Sequence, residues 1–312
     1  AATPLIEPIR DTFRLGQVNL VLMALVLADL TAIVASDRSG GRHLPRGVLL
    51  GLATAVKLTP GIFILYLLAI RRTREALTAM ASAAAATVVA ASLMPSESAH
   101  FWRHLVFDDR RIGSAGSVWN QSLRGAVARL SGSPDRAHLL WLGLALVVVV
   151  AGLALAARLS GPGPRAAAAS ASASASGSGS GAGRPLLGLG FAALTGLLVS
   201  PISWNHHWVW FLPLAIALAV RAVETGRRFD RLIAGGWVAT FCLASISWWP
   251  FAGQDDYRLG PLNTVAADCY VLAALLVAGL IAWAELGLMN FRCVHTGNSS
   301  GQSITRSPPG LP

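Results

Sequence analysis

The stretch Gly47-Val-Leu-Leu-Gly-Leu-Ala-Thr-Ala-Val-Lys57-Leu-Thr-Pro60-Gly-Ile-Phe-Ile-Leu-Tyr-Leu-Leu-Ala-Ile70 decides how this chain folds. It is an apolar run interrupted by Lys57, the only lysine in the sequence, and three residues later by Pro60. A cation in hydrocarbon costs about 2.5–3.5 kcal/mol or more, so it is kept where something binds it. Proline lacks a backbone N–H and crowds the preceding turn, which breaks the helix beside the lysine. A buried amine at a broken helix points to an anion site at membrane depth. The plainer alternative is a lysine that snorkels to the nearer headgroup region.

The rest of the chain supports a membrane setting. It is 54% hydrophobic and 13% charged, with mean hydropathy +0.57, whereas soluble domains carry about 25% charge. The net charge of +10 comes almost wholly from arginines between apolar runs. Such charges set membrane orientation and attract anionic lipid, so they do not argue for nucleic acid. Arginine in place of lysine, with abundant Ala and Gly, points to a GC-rich coding sequence of the actinobacterial kind. Apolar runs lie at 18–35, 47–70, 75–94, 138–157, 186–221, 232–249 and 264–287, and one span needs about 20 residues. The fifth run is too long for one span and is interrupted by Ser200-Pro-Ile-Ser-Trp-Asn-His-His207, so it reads as two helices.

Charge places the second run. Arg38, Arg42 and Arg46 precede it, and Arg71, Arg72 and Arg74 follow it. If both flanks face the cytoplasm, the run enters and returns as two half-length helices meeting at residues 57–60. The alternative is one ordinary span with a basic stretch outside. The hairpin puts Arg158, Arg165, Arg184, Arg221, Arg227, Arg228, Arg231, Arg292 and Arg306 inside. It puts segments 1–17, 95–137 and 250–263 outside, with Glu7, Asp11, Glu97, Asp108, Asp109, Asp135, Asp255 and Asp256, though these segments also hold nine arginines. Both breaks then turn in the outer half of the membrane, where they can line one cavity. The expected fold is all-α, a polytopic transmembrane bundle of roughly nine helices with two broken helical hairpins. It covers residues 1–287, with 159–184 as a Gly/Ala/Ser-rich cytoplasmic linker and 288–312 as a disordered tail. The sequence begins at Ala1 with apolar residues from Leu15, and reads as a chain whose N-terminal portion is absent. Cys242, Cys269 and Cys293 have no metal spacing, and the first two read as core residues.

Four groups of residues carry the candidate chemistry. Lys57 is the first, as a phosphate ligand. His206 and His207 are the second; adjacent histidines cannot face the same way on a helix and lack the i, i+4 spacing of a metal pair. One of them is expected to donate to a phosphate or sugar hydroxyl, beside Trp204 and Asn205, and the alternative is a polar helix cap. The third is Ser117-Val-Trp-Asn-Gln-Ser-Leu-Arg124, where Asn120 and Gln121 offer amides and Trp119 an aromatic face suited to a sugar, or else simply cap a loop helix. The fourth is Gly16-Gln17-Val18-Asn19, whose two amides face a polar cavity or cap a helix. Trp204, Trp208, Trp210, Trp248 and Trp249 read mainly as an interfacial aromatic belt. Asp29 is a membrane carboxylate that nothing in the sequence pairs.

Gly16-Gln17-Val18-Asn19, Gly51–Pro60 with its Lys-Leu-Thr-Pro, Asn120-Gln121-Ser122 and Ser200–His207 occur in that chain order, and together they resemble glycosyltransferase family 87, the polyprenol-phosphate-mannose-dependent α-(1→2)-mannosyltransferases of mycobacteria and their relatives. The resemblance runs from about residue 14 to 285, and its specificity lies in the ordered set, since each motif alone is weak. It implies a GT-C membrane fold in a bacterial plasma membrane, with a periplasm-facing active site and no cofactor or metal. The implied donor is polyprenyl-phosphate-mannose and the implied acceptor a mannosylated glycolipid or lipoglycan. Mannose would move by inverting displacement, with a carboxylate taking the acceptor proton and a polyprenyl phosphate leaving. Lys57 with His206 or His207 would serve the phosphate; Trp204, Asn205, Asn120, Gln121, Gln17 and Asn19 would serve sugar and acceptor. The family's catalytic Asp lies in the first outer loop after a first membrane helix, and no motif here matches it. Asp11 is the weak remaining candidate, with Glu7 also in that segment. The competing functions are a transporter or flippase, which also uses interrupted helices, and an inactive truncated relative that binds polyprenyl phosphate.

Overall fold

A computed structural model describes residues 6–34, 45–106, 108, 110–161, 183–243, 246 and 259–296. Trp248, Trp249, Arg38, Arg42, Asp109, Asp255, Asp256, most of the 159–184 segment and everything after 296 lie outside them. The described residues form thirteen α-helices and short 3-10 and π turns, with no strand among them. Nine helices make the bundle: α2 (Asn19–Val34), α3 (Val48–Val56), α4 (Ile62–Ala69), α5 (Thr73–Leu93), α8 (Pro134–Ser160), α9 (Gly183–Val199), α10 (Phe211–Thr225), α11 (Arg228–Leu243) and α13 (Cys269–Thr296). The other four are short: α1 (Glu7–Arg14), α6 (Pro95–His100) and α7 (Leu123–Ser131) fall in the segments read as outer, and α12 (Pro261–Ala267) straddles the end of one and the start of the last apolar run. The extra helices relative to the expectation are therefore short elements in the connections between the longer ones. Among the described residues, four helices are long and apolar enough to cross a membrane, five if the bent pair α1–α2 counts as one. Helix α13 continues to Thr296, into the segment expected to be a tail.

The first broken run is a hairpin. Helix α3 starts at Gly47, whose positive φ of 101° suits glycine. A Cβ there would collide with the Glu75 carbonyl, and one on Gly51 with the Ala79 carbonyl. Glycines one turn apart thus let α3 lie directly against the Ala-rich α5, the small-residue contact that drives helix association in lipid. Ser82 of α5 also donates to the Val48 carbonyl at 3.0 Å. The start of α3 sits beside the start of α5, so α3 and α4 must go out and come back between them. Helix α3 stops where Lys57 turns extended (φ −151°, ψ 127°), and Pro60 opens a turn over Thr59–Gly61. Proline suits a first turn because that N–H has no partner there anyway. Helix α4 then descends α9, with Ile62 against Gly196 and the Tyr66 hydroxyl 2.7 Å from Ser160 Oγ at the end of α8.

Helix α9 is the buried centre of the bundle, packed on α8, α4 and α10. Gly152 of α8 meets Thr195, and Gly190 of α9 meets Leu214 of α10. By contrast, the spanning windows of α5 and α8 are each only 11% buried, against 56% for Asn205–Thr225. Their exposed leucines and valines form the face suited to acyl chains. At the far end from the breaks, Arg221 pairs with Asp230 at 2.8 Å and Glu285 at 2.7 Å, and Arg184 reaches Glu285 at 3.5 Å. Two expectations are corrected here. Cys242 is exposed rather than core, because a lipid-facing position is as apolar as an interior one. Trp208 is fully buried rather than interfacial, in a cluster with Phe241 and Tyr270.

Candidate functional site

The two breaks meet. Lys57 Nζ donates to Asn19 Oδ1 at 2.9 Å and lies 2.9 Å from His207 Nε2. With ammonium as donor, His207 presents its unprotonated Nε2 and keeps its proton on Nδ1. Asn19 uses its amide nitrogen on the His206 carbonyl at 2.9 Å, and Thr12 donates to the same carbonyl at 3.0 Å. One asparagine at the head of α2 thus ties the first break to the second. Among the described residues, no carboxylate pairs Lys57.

Beside this cluster is a cavity of about 420 Å³ lined by Asp11, Arg14, Leu15, Ser117, Trp119, Trp204, Asn205 and His206. Helix α1 supplies Asp11, Arg14 and Leu15 at i, i+3 and i+4, which is one helix face. Helix α1 bends by 117° into α2 and lies against the turn Asn205–Trp210. Glu7, one turn before Asp11, anchors α1 by accepting from the Tyr270 hydroxyl at 2.7 Å and the Ile246 amide at 2.9 Å. Arg10 Nε donates to Asp11 Oδ1 at 3.0 Å, and Asn205 Nδ2 to Asp11 Oδ2 at 2.6 Å. Each carboxylate oxygen keeps a further lone pair. His206 is 7% exposed, and its Nδ1 is buried with no hydrogen-bond partner among the described residues. Trp204 has Gly113 against its six-membered ring; with φ 140°, Gly113 leaves room that a Cβ, 2.9 Å from the ring, would fill.

The amides expected to hold sugar divide sharply. Asn120 and Gln121 are both fully buried. Asn120 accepts from the Ser203 amide at 2.8 Å and donates to the Ala115 and Pro201 carbonyls at 2.9 and 3.3 Å. Gln121 donates to the Val118 and Ala267 carbonyls at 2.7 and 2.5 Å and accepts from the Tyr270 amide at 3.2 Å. Backbone bonds from Gln121 to Ser203 and from Asn205 to Trp119 complete a short antiparallel bridge. Arg129 braces the same loop through the Gly116, Ser117 and Asn120 carbonyls and a close ion pair with Asp268. Neither Asn120 nor Gln121 lines the cavity, and the exposed Gln17 does not either. Sequence patterns did not mark Arg14 or Leu15 as cavity residues, and Ser117 entered only as the first residue of the Ser117–Arg124 stretch. The spacing of Asp11, Arg14 and Leu15 on α1 is the signal that would have grouped them. No cluster of His, Cys, Asp or Glu suited to a metal occurs among the described residues.

Fold and site together define an all-α polytopic membrane protein. A cation from one broken helical hairpin is joined to the histidines of a second, beside a cavity with a carboxylate and two tryptophans. The sequence profile of glycosyltransferase family 87 matches residues 1–178, and the chain belongs to that family. It is 36% identical over 300 residues, 94% of its length, to a polyprenol-phosphate-mannose-dependent alpha-(1-2)-phosphatidylinositol mannoside mannosyltransferase of Mycolicibacterium smegmatis. The protein of the same description from Mycobacterium tuberculosis is 37% identical over 291 residues, 91% of the chain. A phosphatidylinositol pentamannoside mannosyltransferase of M. smegmatis is 33% identical over 285 residues, 90% of the chain. The chain spans 61%, 61% and 62% of these three relatives. No solved structure matches it.

Proposed function

We propose that this chain moves mannose from polyprenyl-phosphate-mannose to a mannosylated phosphatidylinositol or lipoglycan acceptor, forming an α-(1→2) bond at the periplasmic face of a bacterial plasma membrane. The observation that carries this reading is the Lys57 ammonium, held at the junction of two broken helices by neutral groups alone. An uncompensated cation at membrane depth calls for an anion, and a lipid phosphate is the anion available there. The arginine distribution supports an outer position for the junction.

In the proposed step the acceptor 2-hydroxyl attacks the anomeric carbon of the donor mannose. Asp11 takes the hydroxyl proton as the new C–O bond forms. The bond from the anomeric carbon to the phosphate oxygen breaks, and its electron pair leaves with the polyprenyl phosphate. Attack opposite the leaving group inverts the anomeric centre. Lys57 faces the charge that develops on the phosphate, and preorganised stabilisation of this kind is commonly the largest catalytic contribution. Arg10 and Asn205 fix the orientation of Asp11. Trp119 and Trp204 offer aromatic faces to the sugars, and His206 offers a ring nitrogen. No step needs a metal, because the leaving group is a monophosphate facing a protein cation.

The test is transfer of radiolabelled mannose from polyprenyl phosphate to phosphatidylinositol mannosides by membranes carrying the full chain. The expected result is transfer that Lys57→Ala and Asp11→Asn each lower by about 10²-fold or more. Binding of polyprenyl phosphate without transfer would leave the lipid-binding, inactive reading. A Lys57→Ala chain that transfers as well as wild type would remove the assignment.

A further inference from the structure

Lys57 is fastened to α2 at both ends of the helix that carries it. Helices α2 and α3 run antiparallel. At the cavity end, Asn19 of α2 accepts from Lys57. At the other end, Asp29 Oδ2 accepts from the backbone amides of Gly47 at 2.9 Å and Leu50 at 3.1 Å. The two fastening points are ten residues apart on each helix, about 15 Å at 1.5 Å per residue. The contacts are therefore in register, and α2 acts as a ruler for α3.

Asp29 is otherwise hard to account for. It is 1% exposed, none of the described ion pairs involves it, and its Oδ1 is buried with no hydrogen-bond partner among the described residues. A carboxylate is retained inside a membrane bundle only for a reason. The first amides of α3 have no partner within that helix, and Gly47 has no side chain with which to cap them. Asp29 caps them from the neighbouring helix, with its charge at the positive end of the α3 dipole.

We infer that Asp29 is a positioning residue, which holds the re-entrant helix at the depth where Lys57 reaches Asn19 and His207. The catalytic consequence rests on the proposed function; the geometric one does not. Lys57 is the only lysine in the chain, so side-chain amine chemistry reports on this one site. The purified full chain is treated with an N-hydroxysuccinimide acetate, and acetylation of the Lys57 peptide is timed by mass spectrometry without any lipid donor. Losing a helix cap typically costs enough for a tenfold change, so Asp29→Ala should acetylate about 10-fold faster than wild type. Asp29→Asn keeps an acceptor oxygen of the same shape and should stay within about 3-fold. Equal rates in Asp29→Ala and wild type would overturn the inference. In transfer assays Asp29→Ala should raise KM for the donor and leave KM for the acceptor unchanged; a parallel rise in both would mean general loosening and overturn it as well. Should Asp29→Ala fail to fold, hydrogen exchange in the wild type decides: protected Gly47 and Leu50 amides support the cap, and unprotected ones refute it. A wild-type chain that shows the labelling pattern but neither binds nor transfers mannosyl lipid removes the functional reading and leaves the positioning role standing.

Discussion

The two interrupted helices look alike in sequence and are built in opposite ways. At the first, residues 57–60, the chain leaves its helix with one charged side chain, Lys57, and that side chain points at the junction. At the second, residues 200–207, the break is wide and its polar groups are mostly consumed. Asn120, Gln121 and Ser122 come from the 115–122 loop to satisfy or accompany the backbone of residues 201–205. Extended backbone at membrane depth must find partners within the protein, and the loop provides them. A polar motif near a membrane break can thus serve a ligand or serve the break itself. Groups that keep bonding capacity beside the cavity, among them Lys57, Asp11, Arg14, His206 and the cavity tryptophans, are the ones left for a substrate.

The predictions probe that division, beginning with the largest effect. Asp11→Asn should lower kcat by about 10²–10⁴-fold, the usual worth of a general base, with donor KM little changed in initial-rate assays. Lys57→Ala should lower transfer by about 10²–10³-fold while the protein keeps its elution profile and melting temperature. Wild-type kinetics in either variant would place that residue with the bracing groups. Asn120→Ala should do the reverse: each buried partner left unsatisfied costs about 1–3 kcal/mol, so thermal stability falls while KM in the surviving folded fraction stays put. A selective rise in acceptor KM at full stability would return Asn120 to the binding residues. His207→Ala and His206→Ala should each cost about tenfold, one good hydrogen bond, but in different parameters. The first should weaken donor binding through Lys57, and the second should weaken the acceptor side of the cavity. Gly113→Ala is the mildest change, costing about 1 kcal/mol of stability and tilting the Trp204 ring that it touches.

Much of this architecture is legible in the residues. Arginines on both flanks of 47–70 reveal the hairpin because charge position follows topology rather than local propensity. Pro60 and the length of the run at 186–221 place the breaks, and a single lysine in apolar sequence marks the junction. Other features depend on contacts that no spacing encodes. Asn120 and Ser203 are far apart in the chain, so a sugar-binding amide and a loop brace look the same until the bridge between them is seen. Asp29 caps a helix other than its own, which leaves no local capping signature. Cys242 misleads because lipid-facing and interior positions have the same hydrophobicity. Asp11 sat in no motif, and its placement in the cavity comes from the sharp bend between α1 and α2.

The measurement that tests the central claim most directly is protection of Lys57 by lipid. Acetylation of the wild-type chain is timed with polyprenyl phosphate and, separately, with the uncharged polyprenol. If the lysine is the phosphate ligand, saturating polyprenyl phosphate should slow labelling by about 10-fold or more, as expected for a charge-assisted contact, while polyprenol leaves it unchanged. Equal labelling with both lipids would contradict the account and return Lys57 to a structural role at the junction of the two helices.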